Sequence, residues 1–199
     1  MINKSTLLLA GIISIFTLVS CNGNSENESN RAADSSAIES NIVKEGMPVA
    51  MADLFSTGDT TINIGSAKFY QLSDGQIKLD VEITVKERAD SNVAVHFHEH
   101  GDCGDKGNNT HGHWNPTNEN HGKWGTSPFH SGDIGNIMLD ANGHGTVSIT
   151  TDKWSVDPNQ TAKYIIGKGI IVHGGTDDYT SQPTGNSGPR IGCGVINIL

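Results

Sequence analysis

Apolar and polar residues alternate most cleanly over residues 76–86, where Ile77, Leu79, Val81, Ile83 and Val85 take every second position. Successive side chains of a strand point to opposite faces, so this period predicts a half-buried β-strand. Stretches of similar character fall at 61–70, 93–98, 134–139, 146–150, 165–172 and 194–199, with Gly167 and Gly169 interrupting the fifth. Ser73-Asp74-Gly75 is a turn signal, and Asp140-Ala141-Asn142-Gly143 reads as a hairpin connection between 134–139 and 146–150. No long helical period competes with these runs. About eight strands at this spacing predict an all-β fold, an eight-stranded Greek-key β-barrel or sandwich. Two long segments, 101–128 and 174–189, carry Gly, Asn, Thr and Pro with few aliphatics. Neither builds a core by itself, and loops of that length are functional or disordered.

The first residues read differently. Lys4 precedes an apolar run at 7–19, which at about 13 residues is short for a bilayer span and fits a secretory signal over 1–20. Leu18-Val19-Ser20-Cys21 resembles the bacterial lipobox, in which the cysteine is lipidated and becomes the mature N-terminus. An ordinary signal peptide that happens to contain Cys21 is the competing reading. Residues 21–46, rich in Ser, Asn and Glu, read as a disordered tether, which leaves 47–199 as the domain. The expected location is therefore outside the cytoplasm, as a cell-envelope lipoprotein, periplasmic or cell-surface, held at a membrane surface by lipid. Apart from Cys21, only Cys103 and Cys193 remain. In an oxidising compartment they suggest one disulfide, with two free thiols as the alternative. The formal charge of -9 and the lack of a basic patch argue against nucleic acid as a partner.

Candidate chemistry lies in the histidines. Of nine in the chain, His96, His98, His113, His121 and His130 fall within 96–133 beside Asp133, and His173 ends the apolar run at 165–172. Imidazole is the commonest protein metal ligand. On a strand, His96 and His98 share one face while Phe97 enters the other, a preformed half-site; two exposed histidines are the bland reading. His113, His121, His130 and Asp133 are spaced by eight, nine and three residues, which a folded-back loop can bring together. Seven donors exceed one octahedral ion, leaving two metals, or one metal with surplus histidines. Imidazole-only sets suit copper, and three imidazoles with a carboxylate suit tetrahedral zinc. Two four-coordinate ions served by these seven residues require one imidazolate shared between them.

His96-Phe97-His98-Glu99-His100-Gly101-Asp102-Cys103 resembles the copper-binding segment of the Cu/Zn superoxide dismutases. The resemblance continues through His113-Trp114-Asn115-Pro116, His121-Gly122, His130-Ser131-Gly132-Asp133-Ile134-Gly135-Asn136 and Val172-His173-Gly174, and ends with Gly185-Asn186-Ser187-Gly188-Pro189-Arg190-Ile191-Gly192-Cys193-Gly194-Val195-Ile196. Separated motifs in the right order are more specific than any one of them. The resemblance implies copper on His96, His98, His113 and His173, and zinc on His113, His121, His130 and Asp133, with His113 as the bridge. It also implies a Cys103–Cys193 disulfide, Arg190 as receiver of the anionic substrate, and Asp177 as the outer carboxylate linking His96 to His121. The chain departs from the family at Ala94-Val95, where Gly-Phe is common, and in a short, lysine-free loop between Asp177 and Arg190. His100, His111 and His144 are additional; they are exposed side chains or an accessory metal site.

The activity implied by the resemblance is enzymatic: two superoxide anions become oxygen and hydrogen peroxide through copper redox cycling, and His113, freed on its copper side, carries a proton. The net charge opposes an anionic substrate at long range, so attraction rests on the metals and Arg190, with Lys106, Lys123, Lys153 and Lys168 as further cations of unknown position. The main alternative is an exported copper/zinc-binding protein without turnover. A zinc hydrolase is disfavoured because His98-Glu99-His100 lacks the H-E-x-x-H spacing. Metals that only staple loops are the remaining reading. Family members occur as monomers and as dimers, so a homodimer is compatible with the resemblance.

Overall fold

The computed structural model describes residues 46–199; the expected signal segment, Cys21 and the tether up to residue 45 lie outside them. Nine strands follow in order: β1 (Ala50–Ser56), β2 (Asn63–Gln71), β3 (Ile77–Thr84), β4 (Asn92–His98), β5 (Asp133–Met138), β6 (His144–Thr151), β7 (Gly169–His173), β8 (Arg190–Val195) and the two-residue β9 (Asn197–Ile198). The sheet runs β5-β4-β7-β8-β1-β2-β3-β6, with β9 added to β1, and every ladder is antiparallel. Pairings such as β3 with β6 and β4 with β7 join strands remote in sequence, as a Greek-key connection requires. The ends of the path, β5 and β6, come together at Gly145, where an added Cβ would stand 2.7 Å from both Ile137 Cγ2 and Met138 O. The result is a nearly closed eight-strand barrel, with the short β9 continuing the β8 side of β1.

Alternation fills the barrel. In β3, Ile77, Leu79, Val81 and Ile83 are buried and pack with Phe69, Val93, Val95, Phe97 and Ile170 into one core. The strand β1 was not among those expected. Its inward positions are Ala50, Ala52 and Leu54, and two alanines make a weak apolar signal against an outward Phe55.

Three expectations need correction. Asp140-Ala141-Asn142-Gly143 does turn the chain, with Asp140 N–H donating to His144 O at 2.8 Å, but it closes no paired hairpin. β5 instead pairs with β4, and β6 with β3, because the turn lies where the two ends of the barrel path meet. The strand expected at 165–172 begins only at Gly169, since Gly167 takes φ 80 and turns the chain. The closing strand is split at Ile196, whose backbone exchanges hydrogen bonds with Gly167 and Lys168 at 2.8 and 3.0 Å.

The long segment after β4 is tied to the barrel rather than loose. Phe97 accepts from Trp114 N–H at 2.8 Å and donates to Gly132 O at 2.8 Å, while Gly132 N–H reaches Trp114 O at 3.0 Å. Trp154 is buried against Phe97, ring centroids 5.0 Å apart, and its Nε1–H donates to Ser131 O at 2.8 Å. Cys103 and Cys193 form a disulfide with Cα atoms 5.8 Å apart, fastening this segment to β8.

Candidate metal centre

Val93, Val95 and Phe97 of β4 enter the core, so strand geometry sends His96 and His98 to the opposite face. Both are nevertheless buried, because the loops close over that face. The β4–β7 ladder sets His173 opposite Ala94, the β7–β8 ladder sets Arg190 opposite His173, and an isolated bridge sets His113 opposite His98. Two buried donor groups result, each with its ligand atoms within 4.8 Å of one another: His96, His98, His113 and His173; and His113, His121, His130 and Asp133. His113 belongs to both, and its ring centroid is 4.0 Å from that of His96 and 5.3 Å from that of His121.

Each imidazole of the first group is fixed through one nitrogen. His96 Nε2–H donates to Asp177 Oδ2 at 2.8 Å, His98 Nδ1–H to His111 O at 2.9 Å, and His173 Nδ1–H to Gly188 O at 3.2 Å; His113 Nδ1 lies 2.8 Å from Asp133 Oδ1. The other nitrogens, His96 Nδ1 and Nε2 of His98, His113 and His173, are buried without a hydrogen-bond partner. A buried orphan of this kind costs about 1–3 kcal/mol, so four converging orphans are expensive unless a cation receives their lone pairs. Soft-to-borderline imidazole donors fit copper, and the residues present therefore fit the metal.

The second group surrounds a carboxylate. Asp133 Oδ1 lies 2.8 Å from His113 Nδ1 and 3.1 Å from His130 Nδ1, and Oδ2 lies 3.1 Å from His121 Nδ1. The His121 contact lacks hydrogen-bond geometry, and His121 Nδ1 is a fifth buried orphan. Three imidazole nitrogens and one carboxylate within this radius fit tetrahedral zinc. Asp177 joins the two groups: Oδ2 accepts from His96, while Oδ1 accepts from His121 Nε2–H at 2.9 Å.

Electrostatics follow from this packing. Burial pushes His98 down to about 2, reinforced by the neighbouring His113; it lowers His173 to about 3 and His113 to about 4, the latter against the pull of Asp133. His96 is also lowered by burial, despite Asp177. These rings are neutral at pH 7, the form that binds metal. Burial would lower His121 too, but Asp133 and Asp177 outweigh it and hold His121 up to about 9. Burial works to raise both carboxylates; their imidazole partners win and keep them below the usual carboxylate range.

Arg190 is half-buried at the start of β8. Its Nη1 donates to Gly107 O and to Thr110 Oγ1 (2.8 Å), and its Nη2 donates to His111 O at 2.6 Å. These three bonds leave two of the five guanidinium N–H groups for another acceptor. Thus all the residues expected at the metal centre converge. Of the four lysines, Lys123, Lys153 and Lys168 lie over the rings of Tyr179, Phe129 and Trp114.

Beyond Asp177, sequence reasoning did not find the positioning residues. Asn136 Nδ2–H donates to Asp177 O at 2.9 Å and its Oδ1 accepts from Asp177 N–H at 2.8 Å. Gln182 brackets the backbone of His121 in the same way, at 2.9 and 3.0 Å. Gly185, at φ 66, passes so close that a Cβ would collide with Asp177 Oδ1 and His121 Nε2. Asn136 and Gly185 carried a signal only through their places in the resemblance, and Gln182 carried none.

The chain matches the copper/zinc superoxide dismutase (SODC) family over residues 63–196. It is 37% identical over 148 residues to the Superoxide dismutase [Cu-Zn] of Kluyveromyces lactis, covering 71% of this chain and 92% of that one. Its identity to Superoxide dismutase [Cu-Zn] 1 of Aquifex aeolicus is 33% over 137 residues, covering 67% and 79%. Among solved structures it resembles the clock protein EA4 at a TM-score of 0.66 and 31% identity, covering 77% of this chain and 96% of that one. A double mutant of a SOD-like protein from Bacillus subtilis aligns at a TM-score of 0.65 and 27% identity, covering 73% and 95%. The chain belongs to the copper/zinc superoxide dismutase family. It is accordingly a superoxide dismutase, with superoxide as substrate and copper and zinc as cofactors.

Proposed function

We propose that His96 Nδ1 and the Nε2 atoms of His98, His113 and His173 hold copper, and that His113, His121, His130 and Asp133 hold zinc. The supporting observation is His113, whose Nε2 is an orphan in the first group while its Nδ1 sits in the second. When bound, copper would supply a one-electron couple for the dismutation, and zinc a charge of fixed oxidation state.

The chain's own residues do the rest. Arg190 directs its two remaining N–H groups at the anion and supplies charge where long-range attraction is lacking. His113 Nε2 would serve as a copper ligand and, when free, would hold a proton, while its Nδ1 stays in the Asp133 group and fixes the ring. It delivers one proton to the reduced oxygen species and water delivers the other, so two superoxides and two protons give oxygen and hydrogen peroxide. Asp177 keeps His96 and His121 oriented through the cycle.

Metal analysis with copper(II) resonance and a superoxide-decay assay tests this reading. One copper and one zinc per chain, nitrogen-rich copper coordination and accelerated decay are expected. A correctly loaded protein that leaves decay unaltered would favour the binding-protein alternative, although that alternative gives no reason for a half-buried arginine with spare donors.

Export and anchoring belong to the same proposal: residues 1–20 direct secretion, Cys21 carries lipid, and residues 21–46 hold the enzyme off the membrane. An extracellular superoxide dismutase of Caenorhabditis elegans, 36% identical over 110 residues, is a relative consistent with work outside the cytoplasm. Cys21→Ser is expected to move the protein from the membrane to the soluble fraction; unchanged fractionation would reject the anchor.

A further inference from the structure

A third donor set lies on the surface where β4 ends. The strand stops at His98, and a bend at Glu99 turns Glu99 and His100 off the strict alternation of the strand. Their backbones remain fixed against the facing segment: Glu99 N–H donates to Gly112 O at 3.1 Å and His100 N–H to Thr110 O at 3.2 Å. His111 stands between those two acceptors, its ring centroid 4.6 Å from that of His100 and nearly perpendicular to it. One donor atom from each of Glu99, His100 and His111 falls within 4.8 Å of the others, and all three residues are exposed. His144 takes no part; its Nδ1 lies 3.4 Å from Thr84 Oγ1.

Exposed histidines and glutamates are ordinary, so proximity alone would mean little. The backbone of His111 adds an independent observation. It is held at φ 63, ψ -138, a conformation that glycine adopts freely and that costs other residues about 1–3 kcal/mol. The fold uses only its backbone: the carbonyl accepts from His98 and Arg190, and the N–H donates to Asn108 O at 3.1 Å. Glycine would present that carbonyl without strain, and the exposed imidazole fills no core. The strained backbone therefore carries a side chain whose one visible partner set is His100 and Glu99.

We propose that Glu99, His100 and His111 form a third site for a divalent ion of the zinc or copper class, separate from the two buried ones. Two imidazoles and a carboxylate suit these ions, whereas calcium and magnesium want oxygen donors. Among the described residues the Glu99 carboxylate makes no ion pair; the nearby Lys168 ammonium bonds to Glu99 O at 3.1 Å rather than to the carboxylate. Water completes the coordination, so the site exchanges its ion readily and serves for metal capture at the surface.

The test is calorimetric titration of zinc(II) into full-length protein that already carries one copper and one zinc. A third zinc is expected to bind tighter than about 100 μM, and His111→Gly and His100→Gln each weaken it by at least about tenfold. Calcium(II) in place of zinc is expected to give no heat. His111→Gly removes the strained side chain and keeps the carbonyl, so it is expected to fold with an unchanged or raised melting temperature. No third zinc below that limit, or binding unchanged in both variants, overturns the proposal. Superoxide decay is not read, so this outcome is independent of the catalytic assignment.

Discussion

Asp177 illustrates how a side chain acts through others. Its two oxygens hold His96 and His121, its own backbone is bracketed by Asn136, and Gly185 leaves it room. Asp177→Asn keeps the shape but presents an N–H where one imidazole needs an acceptor, so one ring loses its orientation. Loss of such an outer partner weakens metal binding about 10- to 100-fold, and chelator competition against copper and zinc measures it; unchanged affinities would remove Asp177 from the centre. Arg190 is a separate case because it touches neither donor group by hydrogen bond. Arg190→Ala is expected to leave both metals bound while turnover falls roughly 100-fold, the scale of losing one fixed donor for a developing charge. A rate equal to the parent's, with metals retained, would take Arg190 out of the mechanism.

At the level of elements, the loop between β4 and β5 owes its position to the disulfide as well as to Trp114 and Gly132. Cys103 and Cys193 are 90 residues apart in sequence, and Cys193 follows Arg190 in β8. The double variant Cys103→Ser/Cys193→Ser is expected to lose about 2–5 kcal/mol of stability, read by denaturant unfolding of the metal-free protein. A loss under about 0.5 kcal/mol, the range of neutral surface changes, would show that loop packing alone sets the geometry. The legible part of the fold was the part with strong period: β3 and β4 stand out, and with β4 came the shared face of His96 and His98. β1 was silent because alanines fill two of its three inward positions, and the false hairpin arose because a turn signal reports local geometry, not which strands pair. Donor identities were legible from residue type and from the resemblance. Hydrogen bonds such as Gln182 to His121, which connect residues 61 apart, leave no pattern for a sequence to display.

For the whole molecule, the buried imidazoles make stability depend on pH in opposite senses once the metals are stripped. His96, His98, His113 and His173 have folded values below the ordinary 6.5, with the last three at about 2, 4 and 3. Above 6.5 they are neutral in both states and cost nothing. Below it the unfolded chain binds protons that the folded chain refuses, so stability is lost as pH falls toward those values. Asp133 and Asp177, both lowered, extend the loss further into acid. His121 runs the other way: held up to about 9 by its carboxylates, it contributes fully below 6.5 and loses that contribution as pH rises to about 9. The two trends meet near 6.5, and four groups against one make the acid side steeper. Thermal unfolding of chelator-treated protein from about pH 5 to pH 9 is therefore expected to give an asymmetric maximum near neutrality. Restoring copper and zinc raises the melting temperature throughout this range, most where the imidazoles are neutral, because the ions bind only the folded arrangement and compete with protons for the same nitrogens. A metal-free profile that is flat, or that climbs steadily toward acid, would mean that these rings are not held neutral by the fold.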